Sequence, residues 1–186
     1  MKILVGPGTG VAPFLGFLEH REALRTMRVE AHVGTTRGSW RKDVHFDSGE
    51  LSSDGSVNKA SLGSEMGHIL VFFGCRNESD FLYKERLLEF QRDGVLTALY
   101  VAMSRTQAEK VYVTHKIREN GAALVDLLTN CGASVFICGD GNSMAKDVQL
   151  AFKSVLNEYG NMTDAEADEY IKRMKEGGRL VLDVWS

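Results

Sequence analysis

The chain has 186 residues, 44% of them hydrophobic, which suffices for one domain with a sizeable core. A formal charge of −3 excludes a general nucleic-acid binder, which needs a basic surface. Cys75, Cys131 and Cys138 stand at unrelated spacings that suit neither a disulfide framework nor a metal site, so the expectation is a reducing compartment and no metal.

The first predicted element is a strand at residues 3–5, a short continuous apolar run of the kind buried on both faces of a parallel sheet. Gly6, Gly8 and Gly10 then turn the chain and leave bare backbone. Pro13 suits the first turn of a helix, whose apolar pattern runs over 14–24. A strand, a glycine turn and a helix start offer backbone N–H groups and a positive dipole end to an anion, such as a phosphate ester. No Lys-Ser or Lys-Thr follows the last glycine, so this is no triphosphate loop, and the spacing departs from the usual dinucleotide fingerprint. By itself the turn is also compatible with a tight connection that binds nothing. A core strand this close to Met1, with neither a leader nor an apolar run of about 18 residues anywhere, reads as a piece of a longer polypeptide with no membrane segment of its own.

Residues 29–67 lack periodicity and are rich in Gly, Ser, Asp, Arg and Lys, so they are expected to form an insertion on the outside of the fold. Trp40, among Arg37, Arg41 and Lys42, belongs more to a solvated basic patch than to a contact point. A second strand at 69–74 ends in Gly74-Cys75-Arg76, and a helix over 81–91 closes at Asp93-Gly94. The third strand, 96–103, runs into Ser104-Arg105. Helical patterns at 111–119 and 122–128 are separated by Gly121, and a fourth strand follows at 134–139. A helix over 143–156 is expected to stop at Gly160, and Thr163 with Glu166 forms a capping box for a helix over 165–175. Gly177-Gly178 leads to a last strand at 179–184.

Strands alternating with helices imply a three-layer α/β fold, a doubly wound parallel sheet in which ligands bind beyond the carboxyl ends of the strands. Gly6 to Gly10, Gly74 to Arg76, Ser104-Arg105, Cys138 to Asp140 and Asp183 to Trp185 would then share one crevice. An NAD site usually carries an acid for the ribose 2′-OH; here the third strand ends in Ser104-Arg105, with Lys110 and Tyr112 close behind. A hydroxyl, a guanidinium and an ammonium match a dianionic 2′-phosphate, which points to NADP(H). Considered alone, Cys138 is also read as a small buried hydrophobe, Asp183 as a partner of Arg179, and Trp185 as a core anchor. The five histidines show no ligand spacing.

Five motifs in order, Gly6-Pro7-Gly8-Thr9-Gly10-Val11-Ala12-Pro13-Phe14, Phe73-Gly74-Cys75-Arg76, Ser104-Arg105 with Lys110-Val111-Tyr112-Val113, Cys138-Gly139-Asp140 and Leu182-Asp183-Val184-Trp185-Ser186, resemble the diflavin reductase family, and most of all its cytochrome P450 reductase branch. The resemblance covers nearly the whole chain apart from the insertion and is confined to that family's C-terminal NADP(H)-binding domain, of the ferredoxin-reductase type. It implies hydride transfer from NADPH to FAD and onward electron transfer through FMN to a hemoprotein, with FAD- and FMN-binding domains elsewhere in the same polypeptide. It further implies a location in the cytoplasm or on the cytoplasmic face of the endoplasmic reticulum. Gly8, Thr9 and Gly10 would face the pyrophosphate and Arg76 would help hold a phosphate. Ser104, Arg105, Lys110 and Tyr112 would take the 2′-phosphate and adenine, and Asp147 the ribose region. Thr114 stands where the family often has Gln. Cys138 and Asp183 would lie beside the nicotinamide, and Trp185 would stack on the FAD ring. Sulfite reductase flavoprotein, nitric oxide synthase and methionine synthase reductase branches stay open, as does a stand-alone NADP(H)-sensing module. A thiol-dependent redox protein using Cys138 is disfavoured, because no resolving cysteine stands at a useful spacing.

Overall fold

The computed structural model describes residues 1–35 and 67–185, with side chains from 29 to 35 excepted. Five parallel strands, β1 (Lys2–Val5), β2 (Ile69–Cys75), β3 (Ala98–Met103), β4 (Ser134–Asp140) and β5 (Leu180–Trp185), form one sheet in the order β3-β2-β1-β4-β5. The chain passes from β1 outward to β2 and β3, then returns to β4 on the other side of β1. This reversal is the switch point at which doubly wound sheets open a crevice.

Alternation along the strands builds two cores. Ile3, Val5, Leu70, Phe72, Val135 and Ile137 face α3 (Val113–Glu119), α4 (Gly121–Thr129), α5 (Met144–Gly160) and α6 (Asp164–Glu176). Leu4, Val71, Phe73 and Cys138 face α1 (Ala12–Thr35) and α2 (Lys84–Arg92). The expected three layers are therefore present. Among the described residues no helix is long and apolar enough to cross a membrane.

Several boundaries differ from expectation, β3 beginning at Ala98 rather than 96 and α3 at Val113 rather than 111 among them, and four of the differences involve specific local contacts. The first helix runs on to Thr35, into the start of the expected insertion; residues 36–66 of that insertion, with Trp40, lie outside the described residues. Two arginines are buried on its inner face near the end of the apolar pattern. Arg21 Nη2 donates to Gly67 O (2.6 Å) and Arg25 Nη1 to Asp93 O (3.0 Å). The second helix begins at Lys84 rather than 81. Asn77 caps a short 3₁₀ turn at Glu78–Asp80, and Tyr83 adopts a left-handed conformation (φ 56°) that separates turn from helix. Phe81 still packs inward, its ring stacked 4.8 Å from Phe73. Gly121 opens α4 instead of merely spacing it; a Cβ there would lie 2.3 Å from the Tyr159 ring. Gly160 does not stop α5: the left-handed cap is Asn161 (φ 52°), whose N–H bonds to Leu156 O. The Thr163–Glu166 capping box forms as expected, Thr163 N–H donating to Glu166 Oε2 at 2.8 Å.

Candidate functional site

A cleft of about 810 Å³ opens at the carboxyl ends of β1, β2 and β3 and reaches the start of α5. Gly8 and Thr9 form one wall, with Arg76, Ser104, Tyr112, Thr114 and Asp147 also in the lining. Seven of the side chains and turns singled out from sequence are thus gathered around one space. The volume lies within the range of sites for small molecules and cofactors.

The glycine turn is shaped by two constraints. Gly8 takes φ +56° and a Cβ added there meets nothing within 4 Å, so its left-handed backbone is bare toward the cleft. Gly10 does the opposite: a Cβ would sit 2.1 Å from the Cys138 carbonyl oxygen, so the turn is pressed against the end of β4. A 3₁₀ turn over Gly8–Val11 leads into α1, with no acidic residue in the first turn of either and no side-chain cap from Pro7. The positive end of this helix is left to an outside anion.

Beyond the glycine turn, the lining carries a single cationic side chain, Arg76. The end of β3 is tied to the end of β2 by Ser104 N–H to Cys75 O (2.9 Å) and Arg105 N–H to Arg76 O (2.8 Å). Gln107 Nε2 donates to Met103 O (2.6 Å) and folds the following turn back. Tyr112 caps α3, its N–H donating to His115 Nδ1 (3.0 Å), and its ring is 48% exposed above the cleft. Arg105 and Lys110 are exposed and lie outside the lining. The Arg76 guanidinium grips Asp80, Nε to Oδ2 at 2.6 Å and Nη2 to Oδ1 at 3.2 Å, which raises the arginine's affinity for its proton, chiefly through the hydrogen bond.

The helix that starts beside the cleft on the β4 side is closed to anions by its own sequence. Asp140 accepts from Asn142 N–H (3.0 Å), Ser143 N–H (3.2 Å), Ser143 Oγ (2.9 Å) and Met144 N–H (3.4 Å). These bonds, the one from Asn142 foremost, hold its carboxyl down at about 2. Asp147 lies one turn further on.

A second group sits at the β4–β5 end. Cys138 and Asp183 are directly paired in register, and the Cys138 thiol donates to Asp183 Oδ2 across 3.7 Å. Burial, then the Asp183 charge and the hydrogen bond, push the thiol up from its ordinary value. Cys138 is 2% exposed and joins the α1-side core, so it is a packing residue as well as a neighbour of the carboxylate. Arg179 is not the partner of Asp183; its Nη1 reaches Leu128 O and Ala133 O, both at 3.3 Å. Nor is Trp185 a core anchor: it is 49% exposed, and its carbonyl accepts from Gly141 N–H at 2.8 Å. None of these three lines the cleft, and neither does Gly10.

Inspection of the sequence overlooked Asp80, Ser79, Leu82, Ser143 and Met144, all of which line the cleft. For Asp80 the signal was present, an acid four residues after Arg76, but phosphate chemistry asks for cations there and hides it.

The profile of the family described as "Oxidoreductase NAD-binding domain" matches residues 4–150. The NADPH–cytochrome P450 reductase of Mus musculus is 39% identical over 185 residues, and those of Oryctolagus cuniculus and Homo sapiens are each 40% identical over the same length. Each alignment covers 99% of this chain and 22% of the relative, so the chain spans little more than a fifth of the length of these relatives. With a family profile that spans the glycine turn and four of the five strands, the chain belongs to the oxidoreductase NAD-binding domain family.

Proposed function

We propose that this chain is the NADP(H)-binding domain of a flavoprotein like NADPH–cytochrome P450 reductase, and that it positions NADPH for hydride transfer to FAD. The observation that carries this reading is the union of Gly8, Thr9, Arg76, Ser104 and Tyr112 around one cleft. Bare backbone at Gly8 admits a close pyrophosphate, and the donors on the opposite wall suit the phosphate groups of the same molecule. Ser104, Arg105 and Lys110 take the 2′-phosphate; the tilted, half-exposed Tyr112 ring stacks on adenine; Asp147 and Thr114 address the ribose side. NADPH supplies a hydride and the flavin accepts it, while this chain binds, selects and orients. At the other end Cys138 holds Asp183 by a hydrogen bond, and the carboxylate stabilises positive charge on the nicotinamide side. Trp185 presents an indole face to the FAD ring.

On this reading the whole chain, 1–186, is one domain with a polar insertion. The FAD- and FMN-binding domains belong to the same polypeptide, a hemoprotein receives electrons through FMN, and the location is the cytoplasm or the cytoplasmic face of the endoplasmic reticulum. The names of the similar proteins support it, as does the basic rather than acidic end of β3.

Calorimetric titration of the chain with NADP⁺ and NAD⁺ tests the proposal. NADP⁺ is expected to bind at least about tenfold more tightly. A hydrogen bond to a charged group contributes roughly 1.5–3 kcal/mol, so Arg105→Ala should weaken NADP⁺ by about one to two orders of magnitude and change NAD⁺ by less than about twofold. Equal affinity of the parent chain for both nucleotides, or uptake of neither, defeats the proposal. The chain alone should not oxidise NADPH in steady state.

A further inference from the structure

We propose that Asp80 competes with the bound coenzyme's phosphate for Arg76, so that this carboxylate sets how tightly the cleft holds the nucleotide. The inference rests on the NADP(H) reading above and concerns regulation of that same site. Asp80 and Arg76 both line the cleft, and both carboxylate oxygens sit on the guanidinium fork, at 2.6 Å on Nε and 3.2 Å on Nη2. Guanidinium engages phosphate through the same two-pronged geometry it uses with carboxylate, so the two acceptors seek the same edge. The two partners differ in freedom. The Arg76 side chain is 61% exposed, whereas Asp80 is 28% exposed and anchored at its N–H, which donates to both the side-chain and main-chain oxygens of Asn77 at 3.2 Å. The arginine can therefore turn toward a ligand while the carboxylate stays behind.

Two effects then lower affinity below what an unpaired arginine would give. Arg76 must give up part of a bidentate pair, and a fixed negative charge remains near the incoming phosphates. A domain that must exchange spent for fresh coenzyme at each turnover gains from such a restraint, because tighter holding appears mainly as slower release.

The test is calorimetry and stopped-flow release of NADP⁺ with the chain carrying Asp80→Asn, which keeps the shape and one acceptor oxygen but removes the charge and the second acceptor, and Asp80→Ser as a second variant. Affinity should rise about 3- to 10-fold at low ionic strength, with slower release, and the gain should shrink near about 0.5 M salt, where charges beyond a few ångström are screened. In an Arg76→Gln background the same substitutions should produce little of that gain. A carboxylate that only braces the 76–80 turn predicts the reverse, a loss of affinity; unchanged or weaker binding in both variants therefore overturns the proposal. A gain undiminished by Arg76→Gln also overturns it, since Asp80 would then act without Arg76. If the parent chain takes up no NADP⁺, the reading of the cleft has failed and this inference fails with it, an outcome distinct from a parent that binds and variants that do not tighten.

Discussion

The two ends of the crevice are built in different ways. At the β1–β2–β3 end the walls are complete: a glycine turn faces Arg76, Ser104 and Tyr112 across about 810 Å³, and backbone bonds between neighbouring strand ends fix each wall. At the β4–β5 end Asp183 and Trp185 lie on an edge strand, where Val181, Leu182, Val184 and Trp185 are each at least 38% exposed. A chain can enclose phosphates with its own backbone and cations, because these groups are anchored by the ends of buried strands. An edge strand paired on one side only leaves its reactive side chains open. On the proposed reading the first end grips coenzyme unaided, and the second completes its site only against the flavin domain.

If the two ends are mechanically joined, Gly10 is the joint. Its missing side chain lets the β1 turn rest on the Cys138 carbonyl, which a Cβ would approach to 2.1 Å. Gly10→Ala must push apart two backbones that cannot rotate away. Overpacking of this kind costs about 1–3 kcal/mol, and with backbone on both sides the upper half of that range is expected. For a chain of this size that is a fall of roughly 4–12 °C in Tm, accompanied by loss of NADP⁺ affinity. Gly8→Ala, which meets no atom within 4 Å but must hold φ +56°, should cost about 1–2 kcal/mol through strain alone. Thermal melts of the two variants check the order. Gly8→Ala melting below Gly10→Ala would mean that the ends are not braced through this contact.

Much of this was legible in the sequence for one reason: the ligand-facing residues stand at the ends of unmistakable apolar runs. Gly8 and Thr9, Arg76, and Ser104 each follow a strand that is visible as a continuous hydrophobic stretch, so placing the strands placed the residues. The sheet order was less accessible, since alternating strands and helices imply parallel pairing but do not say that β4 returns beside β1. The inner face of α1 was harder to read at Arg21 and Arg25, which look like solvent-facing residues yet are buried and donate to the carbonyls of Gly67 and Asp93. The end of α5 was misjudged because glycine is the usual left-handed residue, and Asn161 serves instead. Asp80 escaped notice because its role appears only when the Arg76 side chain is seen to fold back on it.

A second way to separate the two ends is through the thiol. Burial and the Asp183 carboxylate both hold the Cys138 proton in place. Asp183→Asn removes the charge and leaves the burial. In a chain with Cys75 and Cys131 replaced by Ser, thiolate absorbance should therefore titrate at lower pH than in the same chain with Asp183 retained, while staying above the ordinary thiol value of 9.0. The folded thiol being raised, its contribution to stability is full below that ordinary value and disappears as pH climbs through the folded one. The stability lost through this thiol at alkaline pH should thus be smaller in the Asp183→Asn chain, because its folded value lies closer to the unfolded one. NADP⁺ affinity, set at the other end, should move by less than about twofold. A titration that does not shift would mean that Asp183 and Cys138 are neighbours without electrostatic coupling.

The smallest effect expected is at Asp140, and it asks whether the β4-side helix start is truly closed. Its carboxyl is depressed to about 2 from an ordinary 3.8, so its stabilising bonds are complete above about pH 4 and are lost as pH falls through the folded value. Comparing urea unfolding of the parent and Asp140→Ala across pH should show the parent more stable at neutral pH, with the gap narrowing from about pH 4 and closing near pH 2. A gap that persists unchanged at pH 2 would mean that the aspartate braces the loop by shape and not by charge. Its N–H donors, freed in the alanine variant, give a second readout. If the helix start is closed only by this side chain, Asp140→Ala should bind inorganic phosphate more tightly than the parent at neutral pH, and the contrast between the two helix starts would then reside in a single carboxylate.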